Sequence, residues 1–209
     1  MRGRFISFEG GEGSGKSTQI RRLADRLRAG GIDVVTTREP GGTPGAEAIR
    51  RLVVEGEAGR WDGTVEALLM NAARADHVAR LIRPALDAGQ WILTDRYAHS
   101  TIAYQGAGRG IAEEALLALH RFATGDLWPD LTLILDVDPA EGLARAASRG
   151  GAEARFEGEA AAFHARVRER MLDFAGAPGC IRIDAGAPLD AVAAAIWAEV
   201  AARFGLATS

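Results

Sequence analysis

Short apolar runs alternate with longer amphipathic stretches along this chain. Phe5 to Glu9, Val34 to Thr37, Trp91 to Asp95, Leu131 to Val137 and Cys180 to Ile183 are brief and nearly continuous in apolar character, the pattern of strands buried on both faces of a parallel sheet. Helical periods lie between them. Ile20, Leu23, Ala24 and Leu27 fall at i, i+3, i+4 and i+7, and Gly30-Gly31 stops that helix before the second strand. Leu189, Val192, Ala193, Ile196, Trp197, Val200 and Phe204 form another stripe, opened by Pro188 at a first helical position. Thr64 to Ala88 is a long helical pattern that Pro84 should kink or split. Arg149 to Gly158 holds Gly150, Gly151 and Gly158 with little apolar content. It predicts a mobile lid between a helix starting near Pro139 and one ending near Ala175. Strand, helix, strand repeated in this order predicts one three-layer α/β domain over residues 1–209, without internal repeat or linker.

Composition narrows the partners. A 209-residue chain with 47% hydrophobic residues can bury one core. Its 25 basic and 28 acidic side chains give a net charge of -3, which lacks the positive excess that a nucleic acid demands. Any nucleotide partner should therefore be small. Cys180 is the single cysteine, so no intrachain disulfide or cysteine zinc cluster can form, which fits a reducing cytoplasm; within an apolar run it reads as a packed strand thiol. No run approaches the ~20 apolar residues of a membrane helix, and MRGRF leads straight into a strand with no signal segment. The expectation is a soluble cytoplasmic protein with no membrane partner. His77, His99, His120 and His164 are scattered, with no pair at i, i+4 metal spacing. They read as structural or solvated, with His99 the candidate exception because it lies inside a motif described below.

The stretch EGGEGSGKST changes the picture most. Gly10, Gly15, Lys16 and Ser17 match G-x-x-x-x-G-K-[ST], after a strand and before an amphipathic helix. Glycines allow φ > 0 and close approach, so backbone N–H groups can wrap phosphate oxygens while the helix dipole adds positive potential. Gly10, Gly11, Glu12, Gly13, Ser14, Gly15, Lys16, Ser17 and Thr18 would form this cradle. Lys16 would reach the β and γ oxygens, and the Ser17 hydroxyl would enter a Mg2+ shell. The ligand read from this loop is a nucleoside triphosphate with magnesium.

Switches, motors and kinases all use such a cradle, and a kinase needs a second anion site facing it. Arg96 follows the third strand in TDRY, Arg50 lies on the helix after REPGGTPG, and Arg74 lies in NAARADH on the long helix. A guanidinium fork fits a phosphate or a base edge in two-point contact; Arg50 and Arg74 also fit a solvated helix face. Asp95 is acceptor-only, suited to hold magnesium water, to orient an attacking phosphate or to cap the next turn. A kinase of another nucleoside monophosphate or a deoxynucleoside, and a hydrolysing switch, are the rival readings at this point.

FEGGEGSGKST, TREPGGTPGAEAIR, AAR, DRYAHSTIAYQGAGRG and PDLTLILDV, in this order, resemble bacterial thymidylate kinase, which phosphorylates dTMP to dTDP with ATP. The likeness covers essentially the whole chain, and DRYxxSxxAYQGxGRG from Asp95 to Gly110 is its most specific part. It implies a P-loop NTPase fold with five parallel strands, a homodimer, and ATP with Mg2+ in the service of dTTP synthesis. It also implies that Arg96 and Arg50 grip the acceptor phosphate and that Arg74 bonds the O4 edge of thymine. Ser100, Thr101 and Gln105 lie where the family contacts base and phosphate; Tyr104 would pack beneath C2', and Glu12 near the 3'-hydroxyl.

Two positions depart from the family's habit. Met70 stands where phenylalanine usually stacks on thymine; a thioether can still lie against a base. Residues 11 to 14 contain no arginine, so SRGGAEARFEGE would supply it from the lid. Arg155 and Arg149 both qualify, because Ala154 stands in place of the usual aspartate. Arg145 and Ala185 to Pro188 are the candidates for holding adenine. A ring under C2' would force a ribonucleotide to bury an unpartnered hydroxyl at about 1–3 kcal/mol. The 5-methyl is worth about 1–3 kcal/mol in a pocket, so dUMP should be a poor substrate and not an excluded one.

Overall fold

The structure is a computed structural model and describes residues 2–57, 59–148, 156 and 159–207. Five strands form one parallel sheet in the order β2-β3-β1-β4-β5: β1 Phe5–Glu9, β2 Val34–Arg38, β3 Trp91–Asp95, β4 Leu131–Asp136 and β5 Cys180–Asp184. Each expected strand is present, with ends shifted by at most one residue. β4 stops at Asp136 because the ladder to β5 closes there, on Asp184.

Side-chain alternation assigns each residue to a face of the sheet. Ile6, Phe8, Leu93, Leu133 and Leu135 point to one side, where they meet Ile20, Leu23 and Leu27 of α1 (Lys16–Ala29) and Val192, Ile196 and Val200 of the last helix, Leu189–Phe204. Phe5, Ile92 and Ile134 point to the other side. There they pack on Val78, Ile82 and Leu86, and on Phe163, Val167 and Met171 of the helix Ala161–Phe174. Burying each such side chain contributes about 1.5–3 kcal/mol, and both layers fix the direction in which the strand ends point.

The connecting helices start where their caps dictate. α2 (Pro44–Val54) opens with Thr43 accepting from the Ala46 N–H and with Pro44 at its first position. Asp62 caps α3 (Gly63–His77), and Asp138 caps the helix Pro139–Ala147. The long pattern from Thr64 is indeed broken, but earlier than Pro84: α3 ends at His77, a widened π-helical turn covers Val78–Ile82, and α4 (Arg83–Asp87) carries Pro84 in its first turn. Proline lacks the N–H that the preceding turn needs, so the distortion falls upstream of it. α5 (Ala98–Thr101) continues into a second π-helical stretch, Ile102–Gly108, which α6 (Glu113–Thr124) follows. The remaining helices are α7 (Pro139–Ala147), α8 (Ala161–Phe174) and α9 (Leu189–Phe204).

Candidate active site

At the carboxyl edge of the sheet, β1 leaves Glu9 for a loop in which Gly10, Gly13 and Gly15 have φ of 131°, 66° and 87°. Only glycine fits at Gly13, where a Cβ would sit 1.8 Å from the Gly142 carbonyl of α7. Lys16 closes the loop, its Nζ donating to Gly10 O at 3.2 Å, Gly11 O at 2.8 Å and Ser14 Oγ at 3.3 Å. Burial, aided by the charge of Arg96, pulls the Lys16 ammonium down to about 8; Asp95, Glu12 and Glu9 oppose this. Ser17 Oγ donates to Asp95 Oδ2 at 2.8 Å, joining the first turn of α1 to the end of β3. A hydroxyl and a carboxylate are hard oxygen donors suited to Mg2+. Among the described residues no cluster of three or more His, Cys, Asp or Glu could hold a metal by itself. A cation here therefore needs water and phosphate oxygens to complete its shell, the habit of Mg2+ at a nucleotide.

A cavity of about 320 Å³ joins Lys16, Ser17 and Asp95 to Arg50, Arg74 and Arg96. Met70, Ser100, Thr101, Tyr104 and Gln105 share its wall, so every acceptor residue expected from the sequence borders one space with the phosphate loop. Arg96 lines it with φ 70°, a left-handed backbone that costs a non-glycine residue about 1–3 kcal/mol. Its Nη1 donates to Gly10 O at 2.9 Å and Ser100 Oγ at 3.2 Å, and its Nη2 to Glu12 Oε1 at 3.0 Å. The guanidinium lies 4.9 Å from the Tyr104 ring centroid, and the Tyr104 hydroxyl donates to Glu12 Oε1 at 2.7 Å. Burial raises the Glu12 carboxyl, yet Arg96 and Lys16 outweigh it and hold the group below its usual range. Burial pushes the Tyr104 phenol well above its ordinary value. Arg50 is buried and donates through Nη1 to Pro40 O at 2.5 Å. Met70 is half-buried in the wall, one turn before Arg74 on α3.

Several residues were missed by sequence reasoning. Glu9 is fully buried behind the acceptor motif, accepting the Tyr97 N–H at 2.9 Å and the Ser100 hydroxyl at 2.5 Å; burial pushes its carboxyl up. Glu39, the acid of REPGG, lines the cavity and pairs with Arg74 at 2.7 Å. Arg38 and Phe156 also line the cavity. The one signal for Glu9 and Glu39 was an acid placed at or just past a strand end beside a glycine or proline motif.

His99, the exceptional histidine of the sequence reading, does not border the cavity. It packs on Trp128 and Phe174, with Nε2 3.7 Å from Cys180 Sγ, and burial holds its ring down to about 4. His77 and His164 stand closer to the site, bonding Glu39 at 2.9 Å and facing Glu12 at 3.7 Å. Cys180 is half-buried and its thiol is raised by burial, which suits a packed group. Arg145 Nη1 donates to Ala185 O at 3.1 Å, which brings the two adenine candidates together. Arg149 and Arg155 lie outside the described residues, as does most of the expected lid.

Backbone amides opened by glycines at the end of β1, with a lysine behind them, are what a polyphosphate chain requires. The strand order puts them at the switch point of the sheet. By fold and site this is a nucleotide-binding protein of the P-loop NTPase class. A family model described as thymidylate kinase matches residues 8–196. The thymidylate kinase of Magnetococcus marinus is 53% identical over 206 residues, 98% of each chain. That of Caulobacter vibrioides is 57% identical over 206 residues, 98% of this chain and 99% of its own. That of Nitrobacter winogradskyi is 52% identical over 204 residues, 96% of this chain and 89% of its own. The chain belongs to the thymidylate kinase family.

Proposed function

We propose that the chain transfers the γ-phosphoryl group of ATP to dTMP, yielding dTDP and ADP for dTTP synthesis. The observation that carries this reading is the position of Arg96: it bonds the phosphate loop at Gly10 and Glu12 and shares one cavity with Lys16. A dTMP phosphate oxygen attacks the γ-phosphorus in line, and the bond to the β–γ bridging oxygen breaks. No general base is needed, because the attacking phosphate is already ionised at neutral pH. Lys16 and the loop amides hold the β and γ oxygens of ATP, while Arg96 and Arg50 hold the dTMP phosphate and offset repulsion between the two anions. Ser17 and Asp95 would hold Mg2+, which supplies positive charge against the phosphate oxygens when bound.

Arg74 addresses O4 of the base, with Thr101 and Gln105 beside it and Met70 against the ring. Tyr104 closes the space at C2', and Glu12, below it, faces the 3'-hydroxyl. Arg145 and the Ala185 to Pro188 stretch hold adenine. The lid contributes Arg155 or Arg149 to the transition state; single-turnover rates of Arg155→Ala and Arg149→Ala distinguish them by which loses ~100-fold or more.

A homodimer completes the reading. Leu52, Leu68 and Phe122 are exposed on α2, α3 and α6, of which α3 packs on both of the others, and Phe122 is 92% exposed. Unpartnered apolar groups of this size favour association. Sedimentation should give twice the chain mass, and Phe122→Asp should shift it toward the monomer. No helix among the described residues is long and apolar enough to cross a membrane, and the lone cysteine suits the cytoplasm. The function itself is tested by ADP release with and without dTMP, in Mg2+ and in EDTA. Release should require both dTMP and Mg2+; release that ignores dTMP contradicts the reading.

A further inference from the structure

Arg74 is held on three sides before any base arrives. Its Nε donates to Glu39 Oε2 at 2.7 Å, its Nη1 to Asn71 Oδ1 at 3.3 Å and its Nη2 to Thr101 Oγ1 at 2.9 Å. Its guanidinium carbon lies 5.1 Å from the Tyr97 ring centroid. Those bonds use three of the five guanidinium N–H groups, and Arg74 lines the cavity. Glu39 is itself anchored: its Oε1 meets His77 Nδ1 at 2.9 Å, and His77 Nε2 meets Thr37 Oγ1 at 2.8 Å. Arg74 and Glu39 side chains are each 3% exposed and His77 is 0% exposed, so these partners are largely withdrawn from bulk water. Gly42 completes the enclosure, since a Cβ there would lie 2.4 Å from Thr37 Oγ1 and 2.6 Å from His77 Nε2.

We propose that Glu39, anchored by His77, is a positioning residue that sets base selectivity by presenting Arg74 as a fixed hydrogen-bond donor to the 4-position of the pyrimidine. The proposal deepens the reading of Arg74 as the base contact and rests on it. A pinned cationic donor accepts a pyrimidine with a carbonyl at that position and opposes one with an amino group, because two donors then face each other in a buried site. Sites built to make such a bond discriminate far more steeply than sites that sense a methyl group. A loosely held arginine could turn its fork aside and lose this discrimination while still giving positive charge to the cavity. Burial raises the Glu39 carboxyl, but Arg74 and His77 outweigh it and keep the group below its usual range, so the anchor is ionised at neutral pH.

The test compares dTMP, dUMP and dCMP as acceptors with Mg-ATP, reading kcat/KM. dUMP and dCMP both lack the methyl group and differ at the 4-position and N3, so the change in their ratio between a Glu39 variant and the unaltered protein reads this edge of the base without the methyl. Glu39→Asp keeps the charge but is one methylene too short to reach both Arg74 and His77. Glu39→Gln keeps the length and loses the charge. Both should lower the dUMP:dCMP ratio, Asp by about tenfold or more and Gln by less, with thermal melts confirming that the variants fold. A ratio within twofold of the unaltered protein, in whichever of the two folds, overturns the proposal. Arg74→Lys separates the layers: if it collapses the ratio while the Glu39 variants do not, Glu39 is no positioning residue. If Arg74→Lys leaves the ratio unchanged, the base contact itself has been misassigned.

Discussion

Ser17 Oγ bonds Asp95 Oδ2 at 2.8 Å across 78 residues of sequence. The link pins the start of α1 to the end of β3 and gathers two oxygen donors where a triphosphate would lie. Asp95→Asn should weaken half-saturation by Mg2+ about 10–100-fold and leave the far-UV circular dichroism unaltered. An unchanged Mg2+ dependence would remove Asp95 from the cation site.

Arg96 holds φ at 70°, so its backbone stores strain that a glycine would not. Alanine at this position must adopt the same dihedral, whereas glycine does so freely. Arg96→Gly should therefore be more stable than Arg96→Ala by about 1 kcal/mol, measured by denaturant melts. Both should raise the dTMP KM at least tenfold, the scale of a charge-assisted bond worth about 1.5–3 kcal/mol. Equal melts would mean the strain is relieved elsewhere; equal KM values for variants and parent would detach Arg96 from the acceptor.

Lys16, pulled down to about 8 by burial and by Arg96, makes stability and binding respond to pH. An unfolded lysine keeps its proton to about 10.4. Between these two values the unfolded chain binds more protons, and stability rises with pH. Below about 8 the buried charge is present and its cost is constant. Phosphate beside Lys16 should restore the charge, so ATP binding at pH 8.5 takes up protons, seen as a dependence of calorimetric enthalpy on buffer ionisation heat. Lys16→Met should abolish that dependence. Its persistence in the variant would place the titration on another group.

Met70 precedes Arg74 by one helical turn and shares its cavity. Met70→Phe should lower the dTMP KM or leave it unchanged, because a ring stacks on a base with less conformational freedom than a thioether. A tenfold rise would show that position 70 faces something other than the base.

Much of this was legible in the chain because it is local. The five strands are apolar runs, the phosphate loop carries its own signature, and the arginines stand at strand ends or inside motifs. What escaped was set by packing between distant segments. Glu39 and Arg74 are 35 residues apart, and nothing in REPGG announces an ion pair with α3. His99 lies between two cavity-lining residues, Arg96 and Ser100, yet successive positions on a helix point about 100° apart. The short helix Ala98–Thr101 accordingly turns Ser100 and Thr101 to the cavity and His99 to Trp128. Pro84 marks a real break but not its position, since the missing N–H acts on the turn before it.

The most direct measurement is the acceptor panel: initial rates with Mg-ATP and dTMP, dUMP, dCMP, dGMP, AMP or thymidine. The proposed pair of anion grips across the cavity that Lys16 and Arg96 line, and the proposed donor for the base, predict the highest kcat/KM for dTMP. They predict about 10–200-fold less for dUMP and no significant transfer to thymidine, which lacks the phosphate. Equal or faster transfer to any other acceptor, or ADP release that is indifferent to the acceptor supplied, would contradict the account.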